Sequence, residues 1–80
     1  MNMNNTRTIN SIIINRKELL DKNRNRYLIL ELESGESIFV FSGKIKEERW
    51  SWLQSDDKIN FTVEEGKNGS NILVDFQIQV

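Results

Sequence analysis

The sequence predicts an all-β domain with one helix: a five-stranded barrel in which the helix lies between strands 3 and 4. Three observations predict it. Five short runs rich in β-branched and aromatic residues recur along the 80 residues, two of them joined by a Ser-Gly turn, and a single stretch, residues 44–54, is built from helix formers. A chain near this length buries only about 60% of its unfolded surface, so one small core is all it can build. An open antiparallel sheet would leave a face uncovered. A closed barrel capped by one helix buries the inner face and leaves few free edges.

Residues 1–7 are Asn-rich and unpatterned and read as a flexible N-terminus, leaving 8–80 as the single domain. The run TINSIIIN, residues 8–15, reads as a first strand with Ile12 and Ile14 on one side and Ile13 on the other. It is expected to continue as a long bent strand through Leu19 and Leu20 into a basic loop, DKNRNR, at 21–26.

Residues 27–42, YLILELESGESIFVFS, read as a β-hairpin turning at Glu33-Ser34-Gly35-Glu36. With Glu33 and Ser34 in a type I turn and Gly35 left-handed in a bulge, Leu32 pairs with Glu36, Leu30 with Ile38 and Leu28 with Val40. One face is then aliphatic, and the other carries Tyr27, Ile29 and Glu31 beside Phe41, Phe39 and Ser37. A loop of opposite parity would instead bury Phe39 and Phe41 beside Leu28 and Leu30. Both readings stand at this stage.

In KIKEERWSWLQ, residues 44–54, a 3.6-residue wheel groups Ile45, Trp52 and Leu53, with Trp50 displaced by more than about 100°. Trp52 is therefore assigned to the core, and Trp50 either covers the open end of the barrel or stands exposed for a partner. Residues 58–64 alternate, with Ile59, Phe61 and Val63 inward. Residues 71–80 alternate again, with Ile72, Val74, Phe76, Ile78 and Val80 opposed to Leu73, Asp75, Gln77 and Gln79.

The long first strand, the hairpin with its Ser34-Gly35 turn, the helix between strands 3 and 4, and the run Leu53-Gln54-Ser55-Asp56-Asp57-Lys58-Ile59 together resemble the OB-fold (oligonucleotide/oligosaccharide-binding) superfamily. In the last run Asp56 occupies the place where such domains usually have glycine, and Asp enters left-handed conformations more readily than most residues. The pattern identifies no specific family within that fold. An SH3-like barrel, the rival five-stranded architecture, normally has a tight connection where this chain has eleven helix-forming residues.

Composition excludes much chemistry. Without cysteine or histidine there is no thiolate, no imidazole base and no cofactor signature. Glu47-Glu48, Asp56-Asp57 and Glu64-Glu65 are sequence neighbours whose side chains diverge, and Ser42-Gly43-Lys44 lacks the glycine spacing of a phosphate loop. No catalytic residue is identifiable and no metal site is expected. The chain has no apolar run long enough for a signal peptide or a membrane helix, so a cytoplasmic protein without membrane association is the expectation.

The resemblance implies single-stranded nucleic acid, DNA or RNA, held across strands 2 and 3 by stacking side chains and nearby positive charge. Tyr27, Phe39 and Phe41 would supply the stacking face. Arg24 and Arg26 would flank Tyr27, with Arg16 and Lys17 extending the groove. Residues 1–26 hold six basic groups against two acidic, a net +4, which suits such a ligand; residues 27–80 hold five basic against ten acidic, a net −5, which opposes it. The competing expectation is a protein-interaction module, able to self-associate, using an apolar patch of Tyr27, Phe39, Trp50 and Leu73. The first reading requires a continuous basic track around the aromatics, the second a patch ringed by mixed charge.

Overall fold

A computed structural model describes residues 6–79; the readings of residues 1–5 and of Val80 lie outside the described residues. Five strands close into a barrel in the order β1-β2-β3-β5-β4: β1 Thr6–Leu20, β2 Arg26–Leu32, β3 Ser37–Phe41, β4 Lys58–Glu65 and β5 Asn71–Ile78.

Strand β1 serves two neighbours, which is why it is long. Its first half, from Thr6 to Ile12, pairs with β4, and the rest, from Ile13 to Leu20, pairs with β2. The handover coincides with a register shift between Ile13 and Asn15, which bends the strand from one partner to the other. Ile9, Ser11 and Ile13 face the core, while Ile12 is half-buried and Ile14 is exposed. Thr6 and Arg7, expected in the flexible N-terminus, already pair with Glu64 and Val63 of β4.

The β2–β3 hairpin adopts the bulged register. Leu28 opposes Val40 and Leu30 opposes Ile38, and the Leu32 amide donates to the Glu36 carbonyl at 2.9 Å. Gly35 has φ +95°, a conformation that L side chains enter only at a cost. Leu28, Leu30, Leu32, Ile38 and Val40 are all buried, each such burial contributing about 1.5–3 kcal/mol. Ile59, Phe61 and Val63 join them from β4, as the alternation there requires.

Three expectations are corrected. Residues 44–54 form a short 3-10 turn, Glu47–Trp52, rather than an eleven-residue helix. A 3-10 turn has three residues per turn, so positions i and i+3 eclipse, and Trp50 aligns with Leu53. Both are buried, the Leu53 amide donates to the Trp50 carbonyl at 3.0 Å, and the Trp50 indole N–H donates to the Ile45 carbonyl at 2.9 Å. Trp52 falls on the outside and is 62% exposed. Trp50 is therefore a core residue covering the barrel, unavailable to a partner, and the core assignment of Trp52 is overturned.

The third correction concerns β5. Val63 pairs with Leu73 while its neighbour Thr62 pairs with Asp75, so Val74 has no opposite residue. This bulge reverses the inward set only on its N-terminal side: Leu73 is fully buried and Ile72 and Val74 are half-buried, whereas Phe76 beyond it is buried as expected. Leu73 cannot belong to a surface patch.

Asp56 has φ +75°, the left-handed conformation expected of the position where the fold usually has glycine. Its amide donates to the Ile13 carbonyl at 2.7 Å and the Ile13 amide donates to the Asp57 carbonyl at 3.3 Å, tying the entry to β4 onto the bend in β1. No helix among the described residues is long and apolar enough to cross a membrane.

Candidate nucleic-acid interface

The hairpin register decides which side chains share the outer face. Tyr27 opposes Phe41 and Ile29 opposes Phe39 across β2 and β3, and all four are half-buried, with the aliphatic side of the same strands in the core. The three rings lie nearly parallel. Centroids are 5.6 Å apart for Tyr27 and Phe41, 6.2 Å for Phe39 and Phe41, and 6.5 Å for Tyr27 and Phe39, with interplanar angles of 29°, 11° and 20°. Rings so spaced form an extended π surface whose outer side remains accessible.

Pairing carries the face beyond the hairpin. Leu19 of β1 opposes Tyr27, so the row Leu19-Tyr27-Phe41 crosses three strands, and Leu19 is 38% exposed. A second row runs Lys17-Ile29-Phe39-Ile72-Glu64 across β1, β2, β3, β5 and β4.

The expected basic residues do not all join this face. Lys17 does, through its pairing with Ile29. Arg16 opposes Leu30 and Arg26 opposes Leu20, which places both on the other side of β1 and β2, toward the 3-10 turn. There the Arg16 Nη2 donates to the Trp50 carbonyl at 3.3 Å, and Arg26 lies 2.8 Å from Glu18 and 3.5 Å from Glu47. Arg24 sits in the β1–β2 loop with φ +66°, in a turn built by Asp21, whose Oδ1 accepts from the Asn23 and Asn25 amides at 2.8 Å each. The structure thus brings together Tyr27, Phe39, Phe41 and Lys17, leaves Arg24 in the adjoining loop, and turns Arg16 and Arg26 away.

Charges on the outer face are paired. Lys17 Nζ lies 3.6 Å from Glu31, whose other carboxylate oxygen accepts from the Asn15 side chain at 2.9 Å. The Asn15 hydrogen bond, followed by the Lys17 charge, holds the Glu31 carboxyl below the ordinary carboxylate range. At the other end of the row, Lys44 Nζ lies 3.2 Å from Glu64. On the opposite side, the hydrogen bond from Arg26 lowers the Glu18 carboxyl in the same way.

Sequence reasoning missed Leu19, Ile72 and Lys44. Leu19 was accessible in principle, since continuing the hairpin register onto β1 places it beside Tyr27. Lys44 was absorbed into the expected helix, and Ile72 was assigned inward because the β5 bulge leaves no local signature. Among the described residues no cluster of three or more His, Cys, Asp or Glu side chains is arranged to hold a metal ion.

No protein-family model and no curated protein matches the sequence. The structure is similar to that of the mitochondrial single-stranded DNA binding protein Rim1 of S. cerevisiae, with a TM-score of 0.75 over 96% of each chain and 16% sequence identity. Taken with the closed β1-β2-β3-β5-β4 order and a β3–β4 connection that carries the 3-10 turn, this likeness shows that the chain has the OB-fold.

Proposed function

We propose that the chain is a non-enzymatic binding module that holds single-stranded nucleic acid on the outer face of β1, β2 and β3. The observation that carries this reading is the accessible surface of Tyr27, Phe39 and Phe41, whose rings are nearly parallel and 5.6–6.5 Å apart between centroids. Bases stack on such rings whatever their identity, each contributing about 1–3 kcal/mol. Lys17 and Lys44 stand at the sides of the row and Arg24 in the adjoining loop, within the region a bound backbone would cross. Rim1, of the same fold, is named for binding single-stranded DNA, which favours DNA as the first ligand to try. The cytoplasm is the compartment proposed with this reading.

The test is fluorescence anisotropy of labelled oligo-dT and oligo-U titrated with the protein at low and then moderate salt. Saturable binding that is lost in Phe39→Ala, with the fold intact, supports the proposal. No binding at low salt by either oligonucleotide sinks it.

One observation favours a second reading, a protein-interaction module. The aromatic row is ringed by mixed charge, Lys17 with Glu31 and Lys44 with Glu64, instead of a continuous basic track. A self-associating module would show a concentration-dependent mass in sedimentation that Phe41→Ala abolishes.

A further inference from the structure

The row Lys17-Ile29-Phe39-Ile72-Glu64 ends in ion pairs on both sides. Lys17 is bonded to Glu31, which is next to Ile29 but one on β2, and Glu64 is bonded to Lys44, which follows β3. The lysine side chains are 51% and 48% exposed and the carboxylates 39% and 36%, so solvent and solute ions reach both pairs. Exposed pairs of this kind are weak and exchange readily.

We propose that Lys17 and Lys44 are the phosphate-contacting residues of this face and that Glu31 and Glu64 hold them masked, so that the face selects ligands by stackable bases and excludes polyanions without them. The proposal rests on the single-strand reading above and names the ligand class that the site accepts. Its physics is an exchange. A phosphate that engages Lys17 displaces Glu31, trading one anionic oxygen for another. The freed carboxylate then takes up a cation from solution, which cancels the counterion that the phosphate released. Charge alone therefore yields little net gain, and stacking on Tyr27, Phe39 and Phe41 must supply the rest. Inorganic polyphosphate offers charge without bases and binds poorly.

The test compares wild type, the double variant Glu31→Gln with Glu64→Gln, and a charge-matched control, Glu48→Gln with Glu65→Gln, whose carboxylates are exposed and form no ion pair among the described residues. Each protein is checked by circular dichroism and titrated against oligo-dT at several salt concentrations, and against inorganic polyphosphate. Because each neutralised single-strand phosphate adds about 0.7 to the slope of log affinity against log salt, unmasking two lysines steepens that slope by about 1.4. The variant is expected to bind oligo-dT about tenfold more tightly at low salt and to gain polyphosphate binding, with the control like wild type. Binding by wild type with no change of affinity or slope in the variant overturns the masking alone, as does an equal gain in the control. Failure of wild type and variant alike to bind oligo-dT overturns the single-strand reading and the masking with it.

Discussion

Tyr27 and Phe41 are direct partners across β2 and β3, with ring centroids 5.6 Å apart and 29° between their planes, on the side of the hairpin opposite the buried Leu28 and Val40. That pairing follows from the loop between the strands. Shifting the register by one residue would bury the aromatics and expose the aliphatics, so the turn at Gly35 determines the character of the surface.

Gly35→Ala should therefore be costly for backbone reasons alone. An added Cβ meets nothing within 4 Å, yet φ is +95°. The expected loss is about 1–2 kcal/mol in urea unfolding. Asp56→Gly at φ +75° should show the reverse, a gain of up to about 1 kcal/mol, because Asp is strained where glycine is not. A gain in Gly35→Ala or a loss in Asp56→Gly would contradict these backbone assignments.

Trp50 and Trp52 should behave oppositely. Trp50→Ala empties a core position and removes the donor to the Ile45 carbonyl, an expected destabilisation of about 3–5 kcal/mol. Trp52→Ala should stay within about 0.5 kcal/mol. In the intact protein, iodide should quench Trp52 fluorescence in Trp50→Phe far more than Trp50 fluorescence in Trp52→Phe.

Acid should weaken the fold modestly. Glu18 and Glu31 have native pKa values lowered from 4.5, by the hydrogen bond from Arg26 and by that from Asn15 respectively. A lowered native value stabilises the folded state above the unfolded value, and that contribution is lost as the pH falls through the native value. The urea midpoint should thus decline below about pH 4.5, and Glu18→Gln should flatten part of the decline. Both carboxylates are solvent-exposed, so the effect is small.

Single truncations of the ring surface should reduce affinity and spare the fold. Phe39→Ala, Phe41→Ala and Tyr27→Ala should each weaken oligo-dT binding by about 5- to 100-fold, the equivalent of one stacked base. Far-UV circular dichroism and anisotropy on the same samples separate lost binding from lost structure.

The hairpin, the long first strand and the left-handed Asp56 were legible because each leaves a local signature: a Ser-Gly turn between alternating runs, continuous β-branched residues, and a leucine-to-apolar spacing. The two tryptophans were not. Helix-forming residues between Lys44 and Gln54 support either a 3.6 or a 3.0 period, and tertiary packing of Ile45, Trp50 and Leu53 into the barrel selects the tighter one. The β5 bulge at Val74 likewise has no local residue that announces it; only the demand for Leu73 and Phe76 in the core explains it. Of the candidate site, the aromatics were named from the sequence but their face was left open between two parities, and the pairing of Tyr27 with Phe41 and of Ile29 with Phe39 decides it. The cations Arg16 and Arg26 were misplaced: Arg26 directly precedes Tyr27 on β2, so alternation turns it to the opposite side, and only the pairing of Arg16 with Leu30 shows that Arg16 lies there too.

The most direct measurement is a titration of the ¹⁵N-labelled protein with oligo-dT at low salt, followed by amide chemical-shift mapping. Shifts concentrated on Lys17, Leu19, Tyr27, Ile29, Phe39 and Phe41, with Arg16 and the 3-10 turn little changed, are the expected result. Shifts confined to the Arg16, Arg26 and Glu47 side, or none at saturating oligonucleotide, would contradict the assignment of the outer face as a single-strand binding surface.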